Sequence, residues 1–156
     1  MKILFVCDGN ICRSPLAAEY MRHRSVREGL SHLIVDSAGL LGITGAPAAT
    51  FSLEVAHEAG LDLGRHRSRG ITGSDLRSSD VVVAMTLTQL EQMSVRFPYG
   101  TKTRYLLRAF EDGPLPKGGA PELDDPVAGP IEEYRSAFAV IRSCVDHLVL
   151  HLKHAP

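Results

Sequence analysis

Four short apolar runs alternate with amphipathic stretches along this chain. Residues 3–6 are uniformly apolar and stop at Cys7, which reads as a buried strand. Leu33, Ile34 and Val35 begin a second strand that ends in Ser37-Ala38-Gly39, residues 81–85 give a third, and residues 104–110 a fourth. Between them the period changes to that of a helix. From residue 14 to about residue 27, Leu16, Ala17, Tyr20 and Met21 share one face and Arg22, His23, Arg24 and Arg27 the solvated one, with Ser14 as N-cap and Pro15 in the first turn. Ala48, Phe51, Ser52, Val55, Ala56 and Ala59 recur every three or four positions before Gly60, a C-cap residue. Residues 72–79 read as a helical turn. Thr86 with Gln89 is a capping box for a helix whose apolar face is Leu87, Leu90, Met93 and Phe97. Pro130 opens the last helix, with Ile131, Tyr134, Phe138, Ile141, Val145, Leu148 and Leu152 on one stripe.

This alternation predicts an α/β, three-layer fold over a single domain, residues 1–156: a four-stranded parallel sheet with helices on both faces. In such sheets ligands bind beyond the carboxyl ends of the strands. Cys7 lies at that end of the first strand, and Asp8, Gly9, Asn10, Ile11, Cys12 and Arg13 form a polar loop before a helix N-terminus. Strand, tight loop and helix start make an anion cradle, because successive backbone N–H groups and the helix dipole converge. A cysteine there lies among N–H dipoles and beside Arg13, and both favour the nucleophilic thiolate. Arg13 can close on the same anion bidentately, which a lysine cannot do. Ser14 can donate a hydrogen bond to the sulfur when it leaves. The loop therefore suits a phosphoryl group or a similar tetrahedral oxyanion.

Composition narrows the partners. A formal net charge of -1 supplies no global basic field, so nucleic acid is not expected as a partner and anion selectivity must be local. No run reaches the roughly 18 apolar residues of a membrane span, and no signal-peptide pattern opens the chain, so no membrane association and a cytoplasmic location are expected. Three cysteines then read as free thiols. Residues 111–129 hold four prolines and no periodicity, and a loop that long usually carries function.

The run Val6-Cys7-x-Gly9-Asn10-Ile11-Cys12-Arg13-Ser14-Pro15 resembles the signature of the low-molecular-weight protein tyrosine phosphatases, whose fold is shared by arsenate reductases. Ser37-Ala38-Gly39, His66-x-Ser68-Arg69 and Asp125-Pro126 extend the likeness over most of the chain. The resemblance implies a phosphomonoester hydrolase in which the Cys7 thiolate attacks phosphorus to give a cysteinyl-phosphate. Arg13 would hold the equatorial oxygens, and Asp125 would act as general acid and then base. Asp8, Gly9, Asn10, Ile11, Cys12 and Ser14 would form the phosphate-binding loop, with Ser37 and His66 supporting it. The family needs no metal or other cofactor. The expected substrate is a phosphorylated protein or a small aryl phosphate, and the expected state is a monomer or weak homodimer.

Several residues carry competing readings. Cys12 is a redox candidate, able to pair reversibly with Cys7 against over-oxidation, or else a loop-packing residue. Cys144 reads as core. Asp124 competes with Asp125 for the acid's role, and the residue directly before Pro126 is favoured. His147, His151 and His154 have a spacing that suits a metal, but a partly exposed helix C-terminus tolerant of cations explains them more simply. Asp8 would repel a phosphate if it faced inward, so it is expected outward on a basic neighbour. Val127 and Ala128 stand where the family usually has aromatic residues, and Leu40, Leu41 and Ile43 replace a second aromatic segment, so phosphotyrosine preference is in question. Relatives that act on phosphoarginine tend to carry threonine at the position of Ile11, which counts against that substrate. Arsenate reduction needs further relay cysteines, and residues 13–143 contain none. A non-catalytic phosphoprotein-binding module is the remaining alternative.

Overall fold

The hydrophobic run at the N-terminus becomes the centre of the sheet. In a computed structural model that describes residues 1–100 and 103–155, β1 (Lys2–Cys7) pairs in parallel with β2 (Ile34–Gly39) on one side and β3 (Val81–Ala84) on the other. A short β4 (Arg104–Leu106) adds to β3, giving the order β2-β1-β3-β4. Alternate residues of β1 serve opposite cores. Ile3, Phe5 and Cys7 pack with α1 (Arg13–Arg27), α2 (Thr50–Glu58) and α5 (Ile131–His154). Leu4 and Val6 pack with α3 (Gly73–Ser78) and α4 (Leu87–Arg96) through Leu76 and Met93. This is the three-layer α/β arrangement expected from the sequence.

Two local expectations need correction. The fourth apolar run is a strand only over β4; Leu107–Phe110 forms a 3-10 turn. An extended backbone would send Leu107 and Phe110 to opposite faces, whereas a three-residue turn brings both onto α5, where each is fully buried. Two histidines of α5 complete that contact. His147 Nδ1 donates to Phe110 O at 2.7 Å, and the His151 ring lies against Tyr105 and Phe110. These two half-buried side chains therefore fasten the turn, while His154 at the helix end is exposed. Among the described residues no group of His, Cys, Asp or Glu is arranged to hold a metal ion.

The second correction concerns the start of α1. Arg13 and not Pro15 is its first residue, so Cys12 occupies the N-cap position and Ser14 lies inside the first turn. No side chain caps this helix, and its first turn has no acidic residue. The two capping boxes among the described residues, Thr72/Asp75 and Thr86/Gln89, open other helices. The N–H groups at the head of α1 are thus without a side-chain cap. No helix among the described residues is long and apolar enough to cross a membrane.

Candidate active site

Cys7 is 2% exposed at the carboxyl end of β1, with Sγ 3.0 Å from Ser14 Oγ. That hydroxyl oxygen already accepts from Asn10 Nδ2 at 2.9 Å, so its own proton is free to point at the sulfur. Asn10 organises the loop around itself. It is fully buried with φ +56°, a left-handed conformation that asparagine tolerates better than most residues. Its Nδ2 also donates to Ser37 Oγ at 2.9 Å, its Oδ1 accepts from Arg69 N at 3.1 Å, and His66 Nε2 donates to its backbone O at 2.6 Å. Ser37, His66 and the loop are therefore brought together as expected. Arg69, the last residue of the His66-x-Ser68-Arg69 motif, is a further member of this network. Its guanidinium is fixed by Asp36 and Asp75 at 2.8 and 2.9 Å, so its N–H cannot drift from Asn10.

Gly39 is needed here for space rather than for an unusual dihedral. A Cβ at that position would lie 2.7 Å from Asp8 O and 3.0 Å from Asn10 N, inside the loop backbone.

Replacing Asn10 by alanine is expected to destabilise the protein by about 2–4 kcal/mol, because buried partners lose their bonds and alanine is strained at positive φ. Urea unfolding of the variant measures the loss. His66 adds a pH dependence. Burial, opposed by the bond to Asn10 O and reinforced by nearby Arg22 and Arg67, holds it below the usual histidine range. Such a histidine binds its proton more tightly when unfolded. Its contribution is complete above about pH 6.5 and is lost as pH falls from there toward the folded value. The urea midpoint of the wild type should accordingly fall more on acidification than that of His66→Gln.

Arg13 is 1% exposed, the largest side chain buried so completely. Its Nη1 donates to Leu123 O at 2.7 Å, and Leu123 N donates in turn to Met85 O at 3.0 Å. The long 111–129 loop is thereby stitched both to the arginine and to the residue after β3, a role for Leu123 that no sequence motif announced. Arg13 Nη2 lies 3.4 Å from both Asp8 Oδ2 and Asp125 Oδ2. Its Nε has no partner among the described residues. A buried unpaired donor costs roughly 1–3 kcal/mol, a cost that an oxyanion held by the loop would remove.

Asp125, and not Asp124, is brought to Arg13, and Val127 N donates to Asp125 Oδ1 at 3.1 Å to orient it. The basic neighbour expected for Asp8 is Arg13 itself, and the Asp8 side chain is 43% exposed. Gln89 Nε2 donates to Asp8 Oδ1 at 3.1 Å and anchors the carboxylate beside the arginine. Cys12 turns its Sγ toward Tyr134 Oη at 3.6 Å, and burial pushes its thiol above the usual range. Cys144 is fully buried within the core of α5, where burial pushes its thiol up to about 12. The mouth is aliphatic. Ile11 and Ile43 lie against Gly9, while Leu41 and Val127 are exposed.

A family model described as low molecular weight phosphotyrosine protein phosphatase matches residues 2–155. The chain is 31% identical to a probable low molecular weight protein-tyrosine-phosphatase EpsP of Ralstonia solanacearum, over 97% of this chain and 95% of that one. It is 32% identical to a protein-arginine-phosphatase of Geobacillus stearothermophilus, over 97% and 96%. Among solved structures, the YwlE arginine phosphatase in a mutant form with a phosphorylated active-site serine superposes with a TM-score of 0.90 at 28% identity, covering 99% of this chain and 97% of that one. Full-length matches of this kind, on a fold that ends its first strand in a buried cysteine, settle the class: the chain belongs to the low molecular weight phosphotyrosine protein phosphatase family and is a cysteine-dependent phosphatase.

Proposed function

We propose that this phosphatase works through a cysteinyl-phosphate on Cys7, with Arg13 and Asp125 as its partners. The observation that carries the reading is the Cys7 Sγ to Ser14 Oγ contact of 3.0 Å beside the unpartnered, buried Arg13 Nε. In the first step Sγ attacks phosphorus while the bond from phosphorus to the leaving oxygen breaks, and Asp125 gives that oxygen its proton. In the second, Asp125 takes a proton from water, the water oxygen bonds to phosphorus, and the sulfur leaves as thiolate with the Ser14 hydroxyl donating to it. Arg13 and the backbone N–H groups of residues 8–13 hold the equatorial oxygens through both steps. The phosphorylated active-site serine of the related mutant supports the same position as phosphoryl acceptor. A reversible Cys7–Cys12 disulfide belongs to this reading: a peroxide would oxidise Cys7 to the sulfenic acid, and the Cys12 thiol, leaving the Tyr134 hydroxyl, would then displace water from it.

Arsenate reduction fits the chain poorly, because Cys144 lies fully buried in the core and offers no accessible relay thiol. The substrate is proposed to be a phosphorylated protein, with phosphotyrosine before phosphoarginine on the strength of Ile11. The aliphatic mouth weakens that preference. Phosphate release from phosphotyrosine, phosphoserine and phosphoarginine peptides tests it, with Val127→Tyr alongside. Because an aromatic pair adds about 0.5–1.5 kcal/mol, the variant should gain roughly 2- to 12-fold in kcat/KM on phosphotyrosine peptides. An unchanged variant would mean that the wall at Val127 does not touch the substrate's ring.

A further inference from the structure

Gln89 is fully buried on α4, and both ends of its amide are committed. Oε1 accepts from the backbone N–H groups of Met85 and Thr86 at 2.8 and 3.1 Å, which fixes the amide's orientation. Nε2 must then face an acceptor, and it meets Asp8 Oδ1 at 3.1 Å. The other oxygen of Asp8 lies 3.4 Å from Arg13 Nη2, the nitrogen that Asp125 also approaches. The Asp8 side chain is 43% exposed. A carboxylate is thus locked into the phosphate loop by a buried amide, beside the position an incoming phosphoryl group must take.

The surroundings add negative charge. A cleft of about 450 Å³ adjoins Asp125 and is lined by Glu122, Asp124, Glu132 and Glu133 over a floor that includes Leu123 and Val140. Arg108 is the one cation lining it, and this side chain is already bonded to Glu111 at 2.7 Å. Ile11 and Ile43, beside Gly9 in the loop, carry no charge. The whole chain has a formal net charge of only -1, so this concentration of carboxylates belongs to the cleft that adjoins Asp125.

Resting on the phosphatase reading above, we propose that Asp8 is a specificity-determining residue that selects phosphorylated protein segments carrying lysine or arginine next to the phosphorylated residue. A phosphoryl dianion entering beside Asp8 meets repulsion that offsets part of the attraction of Arg13. A cation on the adjacent residue relieves it, and an acid there adds to it, so discrimination comes from both attraction and like-charge rejection. Gln89 acts only as a positioning residue, holding the carboxylate at the mouth instead of letting it swing to solvent.

The test is kcat/KM for three phosphotyrosine peptides of equal length, flanked on both sides by lysine, alanine or glutamate. In the wild type at about 0.01 M salt, where screening extends to roughly 30 Å, the lysine peptide should exceed the glutamate peptide by about tenfold or more. The ratio should approach one at about 1 M salt. In Asp8→Asn, which keeps an acceptor for Gln89 Nε2, the ratio should fall severalfold at low salt. Asp8→Ser serves as a second variant should the first fold poorly. A flat peptide series in the wild type, an unchanged ratio in the variants, or a uniform gain across all three peptides would each overturn the proposal. The last result would make Asp8 a general brake on anion binding. para-Nitrophenyl phosphate carries no flanking charge, so its hydrolysis alongside a flat series overturns the selectivity while leaving the phosphatase mechanism standing.

Discussion

Cys7→Ser is expected to lower phosphate release from para-nitrophenyl phosphate by about 10⁴-fold or more, while phosphate still binds the loop. The two effects separate because they depend on different atoms. In the proposed mechanism binding rests on the N–H groups at the uncapped head of α1 and on Arg13, which the substitution leaves in place. Turnover rests on the sulfur. A serine hydroxyl at the same position keeps its proton at neutral pH, and it is a poor leaving group in the second step. The Ser14 hydroxyl would still face it, so the loop should keep its shape, as unfolding midpoints near those of the wild type would show. Wild-type turnover by the variant would sink the cysteinyl-phosphate mechanism outright.

Asp125→Asn should reduce kcat by about 10²–10⁴ on a phosphotyrosine peptide, whose leaving oxygen needs a proton. The loss should be much smaller on para-nitrophenyl phosphate, whose leaving group is stable as an anion. Asp124→Asn should stay within about twofold of the wild type on both, a change of the size usual for surface substitutions. The contrast follows from where the acid loop is held. Leu123 ties it to Met85 and to Arg13, and the next turn of chain sends Asp125, rather than its neighbour, to within 3.4 Å of the guanidinium. If the two variants lose equally, or if Asp124→Asn loses more, the assignment of the acid is wrong.

Much of this was legible along the chain. The order of strands and helices followed from periodicity, because burial on both faces of β1 demands an unbroken apolar run while the helices need only a stripe. The contiguous loop from Cys7 to Pro15 carried its own chemistry, since the nucleophile, the guanidinium and the backbone donors are neighbours in sequence. Local reading failed where two structures suit the same residues. Ser14-Pro15 looks like a helix start, yet α1 begins at Arg13 because Ser14 is used on the sulfur and on Asn10. Residues 107–110 are as apolar as a strand, yet they coil to bury Leu107 and Phe110 together against α5.

The α/β alternation and the residue types of the Cys7–Pro15 loop could be read along the chain, because both are written in residues close enough to sense one another through local backbone geometry. What surrounds the loop came from long-range packing: Arg13 is held by the carbonyl of Leu123, Asn10 is held by His66 and Arg69, and Asp8 is pinned by Gln89. These partners lie between 56 and 110 positions apart, and hydrogen bonds across such separations leave no periodic trace. They form because the parallel sheet brings the carboxyl ends of β1, β2 and β3 to one edge, where buried polar groups must find partners or go unpaired.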